Sequence, residues 1–183
     1  MDVIFEAVGS LENTPPLVAM VSYALIFRTG VSEFTKKAAA AGFAGLIVPD
    51  LPGDEAAEFS ETAKAQGLDL IQLIAPTSTP DRQRRILETC SGFVYCIAVS
   101  GTTGERKEIR PELLDHLRSL REQTDLPLAV GFGISQPDQV EPLRDVADGV
   151  IVGSAIVRRF TESEDPITEI GEFAASMVAA TRQ

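Results

Sequence analysis

The sequence predicts an α/β protein in which parallel strands alternate with outer helices. Six short apolar runs are each followed by a segment of helical character. They recur every ~20–35 residues, and such strict alternation is typical of a parallel sheet. No long crossover reverses the winding, which favours a singly wound (β/α)8-type barrel over a doubly wound sheet. Because such barrels have eight strands and about 250 residues, the 183-residue chain predicts an incomplete TIM-type barrel. It would hold about six parallel strands, strands 3 to 8.

Three strands are predicted in the first half of the chain, after a short amphipathic helix over Met1–Leu11. Apolar runs of this kind are typical of buried strands, and the intervening helices contain strong helix formers. Pro80 lies in the first turn of its helix, where its missing N–H costs no hydrogen bond. The strands are Leu17–Val21, Gly45–Val48 and Leu68–Ile74; the helices are Gly30–Ala41, Asp54–Gln66 and Pro80–Thr89; Ser22–Thr29 is predicted to be a loop.

The second half continues the alternation. Its predicted strands are Gly92–Ala98, Leu128–Val130 and Gly149–Val152, and its helices are Pro111–Gln123, a segment from Ser135, a segment from Ser154, and Asp165–Ala180. A long loop rich in Gly and Thr occupies Val99–Arg110. No linker or low-complexity segment divides the chain, so residues 1–183 are expected to form one partial barrel domain.

Two glycine turns follow neighbouring strands near the end of the chain. Gly131-Phe132-Gly133 ends one strand, and Gly153-Ser154 ends the next, where a helix begins directly. The C-terminal ends of parallel strands share one face, and glycine leaves backbone N–H groups accessible. With the positive end of the helix from Ser154, the two turns predict a phosphate-binding site. One such turn alone would indicate no more than a tight connection.

Composition narrows the functional classes. The net charge of −11 disfavours nucleic acid and anionic membranes as partners, because both demand basic patches. No apolar run approaches the ~20 residues that span a bilayer. Cys90 and Cys96 have neither metal-ligand nor CxxC spacing, so we expect buried thiols in a reducing compartment, with the cytoplasm as the location. No metal site or cofactor is indicated.

Five motifs, in order, give the chain a family resemblance. They are Val48-Pro49-Asp50-Leu51-Pro52, Phe93-Val94-Tyr95, Ser100-Gly101-Thr102-Thr103-Gly104, Gly131-Phe132-Gly133-Ile134-Ser135 and Gly153-Ser154-Ala155-Ile156-Val157. In combination they resemble the α subunit of tryptophan synthase, across this whole chain but across only the C-terminal two-thirds of the family's barrel. The resemblance implies a lyase of tryptophan biosynthesis that splits indole-3-glycerol phosphate into indole and glyceraldehyde 3-phosphate. It also implies a β-subunit partner in an α2β2 complex and no cofactor.

The resemblance further implies a site for this phosphorylated substrate. The phosphate would be held by Gly104, Gly133, Gly153 and Ser154. Tyr95 and Phe132 would line the indole pocket, although both could be plain core aromatics. The loop Val99–Arg110 would act as a lid that excludes water. Thr103 in that loop would help to organise the catalytic acid, or would be an ordinary loop hydroxyl.

The family's catalytic carboxylates have no counterpart in the sequence. They are a Glu at the tip of the second strand and an Asp on the following loop, which supply the acid–base chemistry; both would precede Met1. Asp50 is the best substitute by position, although a turn cap or a subunit contact is the simpler role. His116 falls within a predicted helix and is expected to be a solvated or rim residue. We therefore assign no catalytic residue and expect little lyase activity from this chain alone.

Two predicted strands, Leu17–Val21 and Gly149–Val152, would each have an open edge, and open edges promote association. The chain would be a truncated form, would self-associate, or would receive the rest from a partner; truncation is favoured. By the resemblance, Ala24-Leu25, where the family often has Asn-Pro, would lie on the face toward the β subunit.

Two other functions stay open. One is another phosphate-binding barrel enzyme, such as indole-3-glycerol phosphate synthase or a phosphoribosyl isomerase. The other is a non-catalytic protein that binds a phosphorylated ligand or docks on a β-type subunit.

Overall fold

Six strands alternate with helices in the computed structural model, which describes residues 1–98, 111–131 and 133–182. The strands are β1 Leu17–Met20, β2 Phe43–Ile47, β3 Asp69–Ile74, β4 Val94–Ile97, β5 Leu128–Gly131 and β6 Gly149–Val150. The helices are α1 Asp2–Gly9, α2 Tyr23–Thr29, α3 Val31–Ala40, α4 Ala56–Ala65, α5 Pro80–Thr89, α6 Pro111–Arg121, α7 Ser154–Glu162 and α8 Pro166–Thr181. The six predicted strands are confirmed, each to within two residues at either end.

The contacts of the chain divide it into two compact units. Unit 1 comprises residues 1–73 and 79–94, and unit 2 comprises residues 74–78 and 95–183. Within each unit the strands neighbour one another in chain order. The registers of β1 with β2, β2 with β3, and β5 with β6 are parallel. That all 183 residues form one domain stays a prediction.

Unit 1 is organised around an apolar core between its strands and the helices that cover them. Phe34 of α3 and Phe59 of α4 are almost fully buried, and burial of each such side chain contributes about 1.5–3 kcal/mol. Phe5 of α1 meets Phe34 edge to face, with ring centroids 5.6 Å apart. The buried cluster consists of Ile26, Phe34, Ala38, Leu46, Val48, Phe59, Ala63, Leu68 and Leu70.

The predicted loop over Ser22–Thr29 is wrong, because Tyr23–Thr29 forms helix α2. Ser22 precedes this helix but makes no side-chain cap. Instead, Oδ1 of Asp50 accepts a hydrogen bond of 2.6 Å from the Tyr23 amide. Ile26 is completely buried in the unit 1 core. The cap that stabilises this seven-residue helix comes from Asp50, 27 residues further along the chain, so local signals did not reveal it.

Unit 2 packs α6 through a regular apolar stripe. Leu113, Leu117 and Leu120 of α6 are buried, at the i, i+4, i+7 spacing of one helix face. The pairing of β5 with β6 places Ala129 beside Gly149 and Val130 beside Val150. Asp148, just before β6, accepts a 2.7 Å hydrogen bond from the Leu128 amide and also pairs with Arg121 of α6. This carboxylate therefore joins α6 to the start of both strands.

The helical segment predicted from Ser135 is only partly correct. The chain forms two short 3₁₀ turns, Pro137–Gln139 and Glu141–Leu143, rather than an α-helix. A proline inside an α-helix lacks the amide hydrogen and clashes with the preceding turn. Pro142 would occupy such an interior position, so the segment breaks into separate turns. Leu143 is nonetheless buried. The apolar residues of this segment therefore face the core even though they do not form an α-helix.

Candidate functional site

The two glycine turns follow strands that lie side by side. The Ile151 amide extends the β5–β6 pairing with a 2.7 Å hydrogen bond to the Val130 carbonyl. Gly133 follows the last residue of β5 by two positions, and Gly153 follows the last residue of β6 by three. Since the strands are parallel neighbours, both turns leave the sheet at its C-terminal edge. Gly133 and Gly153 are both exposed there.

The turn after β5 is held in shape by a side chain that sequence reasoning did not select. Gly133 has a φ of +92°, which other residues rarely adopt. Two residues on, the amides of Ser135 and Gln136 donate to Oε1 of Gln139, at 2.8 and 3.0 Å. Gln139 is buried and forms a capping box with Gln136. The Gln-Pro-Asp-Gln spacing is a variant of the capping-box signature and could have revealed it.

The turn after β6 leads into a helix that has no side-chain cap. Gly153 is the N-cap of α7, and no side chain among the described residues bonds to the first amides of this helix. By contrast, Thr79 caps α5 and Asp165 caps α8 through their side-chain oxygens. A Cβ atom at Gly153 would meet nothing within 4 Å. The positive end of α7 is therefore open to an anion, which such helix ends bind well.

Tyr95 of β4 lies directly over the backbone of β5. A Cβ atom at Gly131 would lie 2.6 Å from Cε1 of Tyr95, so this close approach requires glycine. The Ala98 amide, one residue beyond β4, donates to the Gly131 carbonyl at 2.8 Å. Tyr95 is 6% exposed, and burial raises the pKa of its hydroxyl above the ordinary value. The predicted pocket residue thus packs against β5, the strand that ends in the first glycine turn.

Several predicted site residues lie outside the described residues. They are Thr103, Gly104 and Phe132, together with the predicted lid Val99–Arg110. Of the predicted substrate-binding residues, the structure describes Tyr95, Gly133, Gly153 and Ser154, and all four belong to unit 2. Their binding role stays a prediction.

Asp50, the best substitute acid–base residue by position, and His116 both lie within the described residues. The Asp50 carboxylate is used in capping α2, which matches the simpler role considered for it. His116, expected to be a solvated or rim residue, is half-buried. Its Nε2 atom is enclosed without a hydrogen-bond partner among the described residues, and burial lowers the pKa of the ring.

Both cysteines lie within the described ranges. Cys96 is buried as expected, whereas Cys90 is half-buried. Within those ranges, no group of three or more His, Cys, Asp or Glu residues could hold a metal ion. None of the helices there is long and apolar enough to span a membrane.

Comparison with known proteins identifies a family. The sequence profile of the family described as "Tryptophan synthase alpha chain" matches residues 1–181. Similar proteins include the tryptophan synthase alpha chain of Rhodopirellula baltica, 46% identical over 92% of this chain. That of Methanosarcina barkeri is 48% identical over 88% of it. These matches confirm the resemblance that the five motifs indicated.

Solved structures agree with the sequence comparisons. A chain in the structure of the tryptophan synthase α2β2 complex from Pyrococcus furiosus superposes on 96% of this chain with a TM-score of 0.87 and 34% identity. The match covers 72% of that chain. The predicted fold class, six parallel strands with helices of an incomplete (β/α)8-type barrel, is thereby confirmed. The chain spans only 63% and 61% of the length of the R. baltica and M. barkeri relatives.

Proposed function

The chain belongs to the tryptophan synthase alpha chain family, and on this premise we propose that it acts on indole-3-glycerol phosphate in tryptophan biosynthesis. The reaction would release indole and glyceraldehyde 3-phosphate. One observation carries the proposal for this chain. The open N-terminus of α7 follows β6 at the sheet edge from which the Gly133 turn also leaves.

The phosphate would bind at this edge. The first amides of a helix, aided by the helix dipole, stabilise a dianion. Gly153 and Ser154 would offer backbone N–H groups, and the Ser154 hydroxyl could donate a further hydrogen bond. The Gly133 turn would close the other side, kept in shape by Gln139. Tyr95 would bring an aromatic ring toward the indole.

The carbon–carbon cleavage makes its own chemical demands. The indole ring must be protonated at the carbon that leaves, its N–H must be stabilised, and a proton must be removed from a hydroxyl. We assign these steps to none of the described residues, because Asp50 is held in the α2 cap. Low turnover by the chain alone therefore stays our prediction.

Calorimetric titration with indole-3-glycerol phosphate tests the site. Gly153→Asp places a negative charge where the phosphate would bind. It should fold normally, because the position has free space and Asp is a favoured N-cap. We expect this substitution to weaken binding by at least about tenfold, a loss of roughly 1.4 kcal/mol.

Gly53→Asp is the matched control, since a Cβ there also meets nothing and the residue belongs to unit 1. Equal binding by both variants would disprove the phosphate site. An indole-release assay on the same samples separates the functions that stay open. Binding without indole release would favour a non-catalytic ligand-binding protein.

A tryptophan synthase β subunit is the proposed partner, and the cytoplasm the proposed location. Helix α2, which follows the C-terminal end of β1, exposes Leu25 and Phe27, the latter by 65%. The family resemblance places Ala24-Leu25 on the face toward the β subunit, and Phe27 extends the exposed apolar surface of the same helix. Phe27→Asp should weaken co-elution with a β subunit, whereas Val3→Asp, on the exposed face of α1, should not. Unchanged co-elution with Phe27→Asp would exclude α2 from the contact.

A further inference from the structure

We propose that Arg159 is a positioning residue, which holds the first turn of α7 in the conformation that binds the substrate phosphate. The proposal rests on the phosphate site proposed above, to which Gly153 and Ser154 contribute. Arg159 lies more than one turn further along the helix. It acts through the backbone of the first turn and does not itself touch the ligand.

Little buried surface attaches α7 to the rest of unit 2. Of the nine residues of this helix, all of which the structure describes, Ala155 alone is buried. Val157 and Phe160 are largely exposed and therefore add little packing. A helix of this length is marginal by itself, and its first amides have no acceptor within the helix. The conformation of the first turn therefore depends on the contacts that fix Ala155.

The Arg159 side chain makes such a contact. Its Nη1 atom donates a hydrogen bond of 2.9 Å to the Ala155 carbonyl. The guanidinium lies 3.7 Å from the centre of the Phe173 ring, and its Nε atom lies 3.6 Å from Oε1 of Glu169. Phe173 and Glu169 both belong to α8, four residues apart. Arg159 therefore ties the first turn of α7 to two side chains of the neighbouring helix.

Helix α8 is a firm support for this contact. Phe173 is buried, so its ring cannot move far without disturbing the packing of unit 2. The Asp165 side chain caps α8 by accepting a hydrogen bond from the Thr168 amide, directly before Glu169. The Arg159 side chain is only 23% exposed, so water and salt screen its ion pair less than they screen pairs on the open surface.

The same contact contributes to the electrostatics of the phosphate site. Arginine is always charged in proteins, and the Arg159 guanidinium bonds to a carbonyl of the first turn. Its charge therefore lies within roughly two helical turns, ~11 Å, of the amides that would bind the phosphate. This separation is about one Debye length at moderate salt, so the charge adds to the attraction for an anion, and Glu169 offsets part of it.

Calorimetric titration of the full chain tests the role of Arg159. The ligands are indole-3-glycerol phosphate and, for comparison, indole-3-glycerol, which lacks the phosphate. Arg159→Met keeps an unbranched side chain over Phe173 but removes the charge and the bond to Ala155. It should weaken binding of the phosphate ester about fivefold and leave binding of the phosphate-free ligand unchanged. Arg159→Lys keeps a charge and a donor and should retain most of the affinity.

Arg158→Met is the matched control. It removes an equal charge from the neighbouring position of the same helix, and that position is exposed. The control variant should bind the phosphate ester almost as tightly as the unmodified chain does. The comparison therefore separates the contacts of Arg159 from a general effect of charge on the binding of an anion.

Amide hydrogen exchange without ligand separates positioning from a general loss of stability. The Ile156 and Val157 amides both donate to the Gly153 carbonyl, at 2.9 and 3.1 Å, and therefore report on the first turn of α7. In Arg159→Met their exchange should accelerate about fivefold, whereas the Ile151 amide, which bonds to Val130, should keep its rate. Equal acceleration at all three amides would overturn the proposal, because the role of Arg159 would then be purely structural.

The titrations also distinguish this proposal from the phosphate site on which it rests. If the unmodified chain binds both ligands equally, the phosphate site is wrong and so is the role of Arg159. If the chain prefers the ester but Arg159→Met binds it as tightly as Arg158→Met does, the phosphate site stands and the role of Arg159 is wrong. An equal loss of affinity for both ligands in Arg159→Met would also overturn it.

Discussion

The Tyr95 ring occupies the space into which a side chain at position 131 would project. A Cβ atom at Gly131 would overlap the Tyr95 ring, and both residues are buried. Gly131→Ala should therefore reduce the free energy of unfolding by about 1–3 kcal/mol, the range for overpacked cores. Urea denaturation measures the loss. The prediction concerns packing and holds whether or not Tyr95 contacts substrate.

The double variant Gly131→Ala with Tyr95→Ala separates overlap from other causes. Removing the ring creates a cavity, which is costly by itself, but it also makes room for the new methyl group. The two losses should therefore sum to more than the loss in the double variant, with a coupling of about 0.5–3 kcal/mol. Simple additivity would show that the ring and the glycine do not compete.

The Cys90 thiol should make the folded protein less stable at alkaline pH. Burial is the main cause that raises its pKa, from 9.0 to about 11. The folded state therefore favours the protonated thiol. This stabilisation is complete below pH 9 and disappears as the pH rises through 11. Two pKa units correspond to about 2–3 kcal/mol.

Comparison with Cys90→Ala isolates the contribution of the thiol to stability, because the other side chains that titrate at alkaline pH remain in the variant. Between pH 8.5 and about 11, the unfolding free energy of the unmodified chain should fall more steeply than that of the variant. Parallel curves would show that the thiol titrates normally in the folded state.

At the scale of single elements, the Asp50 side chain stabilises helix α2 by capping its N-terminus. The carboxylate accepts from the Tyr23 amide, and lost caps typically cost about 0.5–2 kcal/mol. Asp50→Ala should show such a loss in urea denaturation, while Asp50→Asn, which keeps an acceptor, should retain most of the stability. Asp54→Ala is a nearby control with no such role. If Asp50→Ala matched this control, the cap would not stabilise the helix.

The Asp148 carboxylate should make unit 2 sensitive to acid. Burial acts to raise its pKa, but the hydrogen bond from the Leu128 amide and the Arg121 guanidinium together lower it below the ordinary value. A lowered pKa contributes stability that is present above pH ~4 and is lost as the pH falls through the folded value. Asp148→Asn should therefore flatten the acid limb of the stability curve. Asp145→Asn, an exposed neighbour, should leave the limb unchanged.

At the scale of the whole molecule, ligand binding should stabilise the fold by mass action. A ligand that binds only the folded chain adds about 2.7 kcal/mol at one hundred times its Kd. Indole-3-glycerol phosphate should therefore raise Tm in a concentration-dependent way. Gly153→Asp should reduce this rise, and Gly53→Asp should keep it in full. An undiminished rise in Gly153→Asp would place the ligand elsewhere.

The order of strands and helices was predictable because it depends on local periodicity. The apolar runs that became β1 to β6 were recognisable, as were most helices between them, since amphipathic spacing and prolines act within a few residues. Helix α2 was missed because the residue that caps it, Asp50, lies 27 residues away in sequence. Pro142 was the overlooked signal at the 3₁₀ turns.

The sequence by itself determined the parallel α/β class, the family, and the two glycine turns, because glycine, proline and apolar period are properties of short segments. Only the tertiary structure decided that Asp50 is committed to a cap on α2, that Tyr95 packs over Gly131, and that Ile167 and Val178 of α8 lie exposed. Each of these depends on which groups meet after folding. A sequence records which side chains are available, whereas packing determines which of them find a partner.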